Sequence, residues 1–175
     1  MAQPPLSKDK LIEGLRTSEQ QLIDTLGGVD ASDLETGCYE NGWNAREVLA
    51  HVASMEWTYS KILNIAAQKP KEESASAKSA PAKSAPPASG NIGSYADRQI
   101  EKRAQASVAD LLAEFRENRA KTLAAVEGAD DSLLGAEVQS AGGLKGSAAN
   151  VLQMLAVGHV QMHLNDIMTA VRDTE

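Results

Sequence analysis

The chain has 175 residues, of which 42% are hydrophobic, but it holds only one Phe, two Trp and three Tyr. This length suits a single domain over residues 1–175, and the many alanines and leucines, with few β-branched or aromatic runs, favour an all-helical protein. The formal net charge of −7 comes without a basic patch, which argues against a nucleic-acid partner, and no stretch approaches the ~20 apolar residues of a membrane span.

The cysteine content and the first residues indicate a cytoplasmic protein. Cys38 is the single cysteine, so an internal disulfide is excluded. The opening residues, MAQPPLSKDK, lack the apolar core of a signal peptide. Both observations favour the cytoplasm, where disulfides are rare.

Local signals predict two long helices in the first part of the chain. The first begins after Ser7, an N-cap residue, and stops at Gly27. The second begins after Asn44, which forms a capping box with Glu47, and ends before Pro70. Its apolar residues step alternately by three and four, as in a helix packed nearly parallel to its neighbours: Ala45, Val48, Val52, Met55, Tyr59, Ile62 and Ala66.

Two more long helices are predicted after a long connection. Residues at about 69–91 are a low-complexity run of Lys, Ser, Ala and Pro, which predicts a disordered or extended connection. The segment 92–105 is ambiguous and is compatible with a short helix. The third long helix begins after Ser107 and ends at Gly128, and the fourth runs from Ser147 to about Arg172. This layout predicts a four-helix bundle with a long crossover between the second and third helices.

The stretch between the third and fourth helices is rich in turn residues. Its glycines, in AGGLKGS (141–147), do not have the spacing of a phosphate-binding loop. A turn is therefore predicted here, not a phosphate site.

Two of the three histidines lie one turn apart on the fourth helix. His159 and His163 are four residues apart, so both imidazoles can reach one point in space. The same spacing binds zinc in H-E-x-x-H enzymes, but the Glu general base of that motif is absent here. Both histidines belong to the stripe that is expected to face the core: Leu152, Leu155, Ala156, His159, Met162, His163, Ile167 and Ala170.

The third histidine, His51, lies at the edge of the apolar seam of the second helix. If it faces the bundle interior, it completes a site with His159 and His163, and three histidines with an open fourth position are typical of catalytic zinc. The alternative interpretation is that all three are hydrogen-bonded core or surface histidines. Burying neutral imidazoles is costly unless their nitrogens find partners, and a metal ion supplies them.

Three carboxylates lie near these histidines in sequence. Glu47 is expected to serve the helix cap, with orientation of His51 as its alternative role. Asp166, close to His163, is expected to be solvated, and again the alternative is to orient the histidine. Glu56 lies about 140° around the helix from His51, so the two are not expected to share a site.

The tryptophans and the cysteine carry weaker signals. Trp43 and Trp57 are expected to be packing anchors, and the alternative is that they wall a pocket. Cys38 has no histidine near it in sequence, and nothing favours its thiolate, so it is not expected to act as a nucleophile.

Two motifs resemble those of the DinB/YfiT-like superfamily. GWNAREVLAHVASMEW (42–57) is similar to its signature, in which a Trp, a helix N-cap and Glu-Val-Leu precede a histidine. HVQMHLNDI (159–167) is similar to its closing motif of two histidines four apart. The resemblance covers most of the chain, although the Lys/Ser/Ala/Pro-rich insert departs from the common pattern. It implies an up-down-down-up four-helix bundle and a divalent metal, commonly zinc, nickel or iron, on His51, His159 and His163.

The resemblance also implies a function. Related enzymes include S-transferases and isomerases that use mycothiol or bacillithiol, and some hydrolases. We therefore expect a metal-dependent enzyme in which a low-molecular-weight thiol or a water attacks a small electrophilic molecule, which makes it an S-transferase or a hydrolase. The alternative hypotheses are a non-catalytic metal- or ligand-binding helical stress protein and a degenerate, inactive member. A homodimer formed by helix packing is a further implication.

Overall fold

The computed structural model of the protein describes residues 6–37, 42–68 and 92–172, and for residues 92–94 it describes the backbone alone. The predicted connection at about 69–91 and Cys38 lie outside the described residues. Helices account for most of the described chain, as predicted. Within these ranges, none of the helices combines the length and apolar character that a membrane span needs.

The long helices occupy the predicted positions, and short elements lie between them. In chain order the elements are α1 (Lys8–Gly27), a 3-10 turn (Asp33–Glu35), α2 (Ala45–Gln68), α3 (Ile92–Glu101), α4 (Val108–Gly128), α5 (Asp131–Gly135), β1 (Glu137–Gln139), β2 (Lys145–Ser147), α6 (Ala148–Leu152), a π-helical segment (Gln153–Gly158) and α7 (His159–Arg172). The last three are continuous, and we call residues 148–172 the C-terminal helix. It is the fourth predicted helix, and α3 occupies the ambiguous segment.

Side-chain caps set the starts of three long helices. Asn44 and Glu47 form the predicted capping box of α2, in which the backbone N–H of each donates to the side chain of the other, both at 2.8 Å. Ser107 makes a second capping box at the start of α4, and Ser147 caps the C-terminal helix. Ser7 precedes α1 as predicted, but its side chain makes no capping hydrogen bond.

The residues that meet between α1, α2 and α4 show the directions of these helices. Near their starts, Arg46 on α2 donates to the Ala106 carbonyl just before α4, and near their middles Glu56 meets Arg119. α2 and α4 are therefore parallel. Lys8, at the start of α1, contacts the chain just beyond the end of α4, so α1 and α4 are antiparallel.

The C-terminal helix runs in the same direction as α1. Leu6 meets Asn150 and Gln21 meets Gln161, so the residue numbers of the two helices rise together. Because α4 runs opposite to α1, and α2 runs with α4, the four long helices have up-down-down-up topology. The four-helix bundle that the sequence predicts is thereby confirmed, with the topology that the resemblance implies.

Buried apolar side chains form two clusters, one towards each end of the bundle. The first includes Leu11, Leu15, Tyr59, Ile62, Val126 and Leu152. The second includes Leu22, Leu26, Leu49, Leu111, Phe115, Val160 and Ile167. Apart from His51, the buried polar side chains along α1, α2 and α4 lie between the two clusters. We call them the polar layer: Ser18, Ser54, Glu56, Asn118, Arg119 and Thr122.

Short elements that the sequence did not indicate fill the stretch between α4 and the C-terminal helix. β1 and β2 form an antiparallel ribbon, and Asp130 caps α5. Strands of three residues are too short for an alternating pattern to be visible in sequence. The turn predicted within 141–147 is confirmed at the tip of the ribbon, where Gly143 has φ of 84° and its N–H donates to the Ser140 carbonyl.

The predicted inward stripe of the last helix is wrong at Met162, which is 51% exposed, whereas Val160 and Leu164 are buried. The physical reason is the π-helical segment. The N–H of His159 donates to the carbonyl of Met154, five residues back instead of the four of an α-helix. One extra residue in a turn rotates the following helix by about 100°, so a stripe of uniform helical spacing loses its register there.

Candidate metal centre

The three predicted histidines meet inside the bundle, between α2 and α7. His51 is 7% exposed, and His159 and His163 are half-buried in the first turns of α7. Nε2 of His159 lies 2.9 Å from Nε2 of His163 and 3.4 Å from Nε2 of His51. One ring nitrogen from each histidine lies within 4.8 Å of the other two. In the part of the chain that the structure describes, no Cys, Asp or Glu joins this group of donor atoms.

These separations fit a single metal ion. Imidazole nitrogens bind zinc at about 2.0–2.1 Å, so two of them at an angle of about 90–110° are about 2.9–3.4 Å apart. The two Nε2 separations, 2.9 and 3.4 Å, lie within that range. Nickel and ferrous iron also accept imidazole, so the donor set does not select among the three predicted metals.

Burial keeps the three histidines neutral. Desolvation, reinforced by His163, lowers the pKa of His51 to about 4. Desolvation and both neighbouring histidines lower the pKa of His159 to about 3. Burial also lowers the pKa of His163, against the opposing charge of Asp166. At neutral pH each ring is therefore uncharged and has one nitrogen lone pair for a metal.

In two of the three histidines, Nδ1 contacts a polar side chain outside the cluster. When Nε2 faces a metal, the proton of a neutral ring sits on Nδ1. Nδ1 of His159 lies 3.1 Å from the hydroxyl of Tyr59, and Nδ1 of His163 lies 3.2 Å from the carboxylate of Asp166. Such partners fix the tautomer and the ring orientation of a ligand. Nδ1 of His51 has no hydrogen-bond partner among the described groups.

The sequence indicated a role near the histidines for Asp166 but not for Tyr59. Asp166 was expected to be solvated, and its side chain is 41% exposed, but it contacts His163 and so takes the alternative, orienting role. Tyr59 is indicated only as an apolar seam residue. Its hydroxyl carries no sequence signal for a site, because its partner lies on another helix, 100 residues away.

Trp43 lies beside the histidines and borders a cavity. Its ring centroid is 5.2 Å from that of His51, and its Nε1–H donates to Asp97 on α3 at 3.2 Å. The cavity, of about 340 Å³, lies between the start of α2 and α3 and is lined by residues that include Trp43, Arg46, Glu47, Asp97, Ile100 and Glu101. Trp43 therefore takes both roles that the sequence leaves open: it packs against His51 and it walls a pocket.

Among the described residues, two other candidates make their contacts away from the histidines. The carboxylate of Glu47 accepts from the N–H of Asn44, as its capping role requires. Trp57 packs under the ammonium group of Lys61, whose Nζ is 3.6 Å from the ring centroid, and it does not line the cavity beside Trp43. Cys38 lies outside the described residues, so the expectation that it does not act as a nucleophile stays a prediction.

Glu56 does not join the histidines, as expected, and instead pairs with Arg119 in the polar layer. Both side chains are 0% exposed, and Oε1 of Glu56 is 2.8 Å from Nε of Arg119. Burial raises the pKa of Glu56 to about 7, although Arg119 opposes the shift. The only sequence signal for Arg119 is the interruption of the apolar stripe of α4 between Phe115 and Leu123.

Comparison with known proteins gives a family and a fold. Residues 15–168 match the family described as the mycothiol maleylpyruvate isomerase N-terminal domain. Among curated proteins, none matches the sequence.

Two solved proteins resemble this structure. Mycothiol-dependent maleylpyruvate isomerase and a histidine-to-alanine variant of it each give a TM-score of 0.67, with 19% identity over 93% of this chain. The chain spans 61% of the length of the isomerase. YfiT from Bacillus subtilis, described as a probable metal-dependent hydrolase with an unusual four-helix bundle topology, gives a TM-score of 0.72 with 17% identity over 99% of this chain and 93% of YfiT.

The likeness to the solved proteins shows a common fold, which agrees with the up-down-down-up bundle described above. The family match adds evidence from the sequence, and it extends over most of the chain. It includes all three histidines of the cluster, which lie between residues 15 and 168. The protein therefore belongs to the mycothiol maleylpyruvate isomerase N-terminal domain family, within the DinB/YfiT-like superfamily.

Proposed function

We propose that the protein is a divalent-metal-dependent enzyme that acts on a small molecule, with His51, His159 and His163 as the metal ligands. The observation that carries this proposal is the convergence of three neutral imidazoles, with Nε2 separations of 2.9 and 3.4 Å. The description of YfiT as a probable metal-dependent hydrolase supports it.

The residues of the chain prepare the site for an ion. Tyr59 and Asp166 keep the protons of His159 and His163 on Nδ1, which leaves each Nε2 free to bind. Trp43 lies beside the ring of His51, with the two ring centroids 5.2 Å apart. A bound divalent ion would lower the pKa of a coordinated thiol or water and so supply a nucleophile near neutral pH.

The number of ligands favours catalysis over a purely structural role. A structural zinc site is closed by four protein ligands, whereas a catalytic site keeps a position open. In the described ranges, the cluster offers three donors. A non-catalytic metal- or ligand-binding protein is the alternative.

Two reaction classes fit such a site. The family description and the isomerase both name mycothiol, which supports a small-thiol-dependent S-transferase or isomerase that acts on a small electrophile. YfiT is described as a probable hydrolase, and this chain spans 93% of it against 61% of the isomerase, which supports hydrolysis. We place the thiol-dependent reaction first, because the family match rests on the sequence itself.

Metal content tests the site. We expect about one zinc, nickel or iron ion per chain in protein purified without an affinity tag, since each such site holds one ion. The double variant His159→Ala, His163→Ala should carry none. Met162→Ala, on the same helix but with an exposed side chain, is the matched control and should bind like the wild type. A wild type that neither carries a metal nor takes one up on titration overturns the proposal.

Activity of the metal-loaded protein separates the reaction classes. Mycothiol and bacillithiol would be offered with maleylpyruvate and other small electrophiles, and thiol consumption and product formation would be followed. Esters and amides would be offered without a thiol. Turnover that requires the thiol supports the transferase or isomerase, and thiol-independent turnover supports the hydrolase. Metal binding without turnover in either series supports the non-catalytic alternative.

Assembly and location are further proposals that rest on the resemblance and the composition. We propose a homodimer, which sedimentation equilibrium would show as twice the 18.5 kDa chain mass. A cytoplasmic location and a single domain over residues 1–175 likewise stay predictions.

A further inference from the structure

The guanidinium of Arg119 contacts the three other long helices at the level of the polar layer. It extends from α4, and its side chain is 0% exposed. Nη1 donates to the Leu15 carbonyl at 2.9 Å and to the Ser18 hydroxyl at 3.0 Å, both on α1. Nη2 donates to Glu56 on α2 at 2.9 Å and to the Ala156 carbonyl in the C-terminal helix at 2.6 Å. One side chain thus links the other three long helices to α4.

The contact with Ala156 falls inside the π-helical segment, shortly before His159. A π-helical turn is rare, and it often marks a functional site. A carbonyl that accepts from a guanidinium makes one of the stronger hydrogen bonds in a protein. Glu56 keeps that guanidinium in place through contacts of 2.8 and 2.9 Å.

The form of this segment decides where the histidines point. α6 is anchored in the core, because four of its residues are at most 1% exposed: Ala148, Ala149, Val151 and Leu152. A change of the segment to α-helix would turn α7 by about 100° relative to α6. His159 and His163 would then point about 100° away from their present direction towards His51, and His159 would lose its contact with the hydroxyl of Tyr59.

We propose that Arg119, supported by Glu56, is a positioning residue for the candidate metal centre. Through the Ala156 carbonyl it holds the π-helical segment in the register that brings His159 and His163 to His51. This inference rests on the proposed function, because it concerns the metal that the three histidines would hold.

The test compares metal affinity with stability. Removing one partner of a buried ion pair leaves the other charge buried without a partner, which destabilises the fold. Replacing both partners with apolar residues often leaves the fold intact. The double variant Arg119→Met, Glu56→Met therefore keeps the bundle but removes the contact with Ala156. We expect its zinc Kd, measured by chelator competition, to rise about 10- to 100-fold, the usual effect of losing a group that orients a ligand. Its Co²⁺ absorption spectrum should also differ from that of the wild type.

The control is Val126→Ala, a change in the apolar core of the same helix. It should lower the unfolding temperature without changing the zinc Kd or the Co²⁺ spectrum. Arg119→Lys is a second variant that keeps the charge beside Glu56 but loses the planar fork that reaches several acceptors. We expect its zinc affinity to fall as well, and this variant decides the matter if the double variant does not fold.

The outcomes separate the two proposals. A wild type that takes up no metal overturns the proposed function, and the inference with it. A wild type that binds zinc, beside folded Arg119 variants with the same Kd and Co²⁺ spectrum, overturns the inference alone. Weaker binding in the Arg119 variants together with unchanged binding in Val126→Ala supports it.

Discussion

The metal-free protein should lose stability between pH 7 and pH 5, because its buried histidines resist protonation. His51 shows the effect most simply, since burial lowers its pKa from 6.5 to about 4. In this window a histidine of the unfolded chain takes up a proton, whereas the folded His51 stays neutral. The unfolded state then binds more protons. The contribution of His51 to the free energy of unfolding is therefore fully present above the pKa of histidine in the unfolded chain. It is lost as the pH falls towards the pKa of His51 in the folded protein.

The size of the effect follows from the two pKa values. Each pKa unit is worth about 1.4 kcal/mol, and the linkage relation gives a loss of about 2 kcal/mol from His51 between pH 7 and pH 5. His51 is 7% exposed, so solvent screening removes little of this figure. Glu56 acts in the opposite direction, because its raised pKa of about 7 makes the folded state bind the extra proton as the pH falls.

A comparison of variants isolates the contribution of His51. Urea unfolding in the presence of a chelator, at pH 7 and pH 5, gives the free energy of unfolding of the wild type and of His51→Gln. Glu56, His159 and His163 are present in both proteins, so the wild type should lose about 2 kcal/mol more than the variant over this window. Met162→Ala should behave like the wild type. The same pH dependence in the wild type and in His51→Gln would refute the reasoning.

Two further predictions follow from single contacts. Tyr59→Phe removes the hydroxyl that lies 3.1 Å from Nδ1 of His159, and we expect the zinc Kd to rise about tenfold, measured by chelator competition; an unchanged Kd would show that the hydroxyl does not orient the ring. Gly37→Ala should lower the free energy of unfolding by about 1–3 kcal/mol, because Gly37 has φ of +84° and an added Cβ would lie 2.6 Å from that of Ala170. Gly27→Ala, with open space around it, is the matched control in the same urea series, and an equal effect of the two changes would contradict the steric argument.

The long helices could be predicted because their signals are local. The caps at Asn44, Ser107 and Ser147 act within a few residues of themselves, so the sequence alone indicates where α2, α4 and the C-terminal helix begin. The three-residue strands β1 and β2 lack such a signal, since they pair with each other across a turn and are too short to show a pattern.

The histidine cluster could be predicted only in part from residue spacing. A separation of four places His159 and His163 on one face whatever surrounds the helix. The meeting with His51 depends on how α2 packs against α7. The position of His51 at the edge of the apolar seam left the three-histidine site as one of two interpretations, and the resemblance to a family implied it. The convergence of the three histidines in the structure agrees with the family's three-histidine arrangement.

The π-helical segment could not be predicted, because its cause lies on another helix. No residue between 153 and 158 marks it in the sequence, and the Ala156 carbonyl meets Arg119, 37 residues away. The wrong assignment of Met162 to the core follows directly from this segment.

The polar layer also affects how the long helices align along their axes. In a bundle whose core is mostly alanine and leucine, sliding one helix by a turn, about 5.4 Å, replaces one apolar contact with another. The same slide moves the guanidinium of Arg119 past Leu15, Glu56 and Ala156 and buries it without acceptors, which is strongly unfavourable. Sliding is therefore penalised at the polar layer, in addition to contacts elsewhere along the helices, such as the one between Tyr59 and His159.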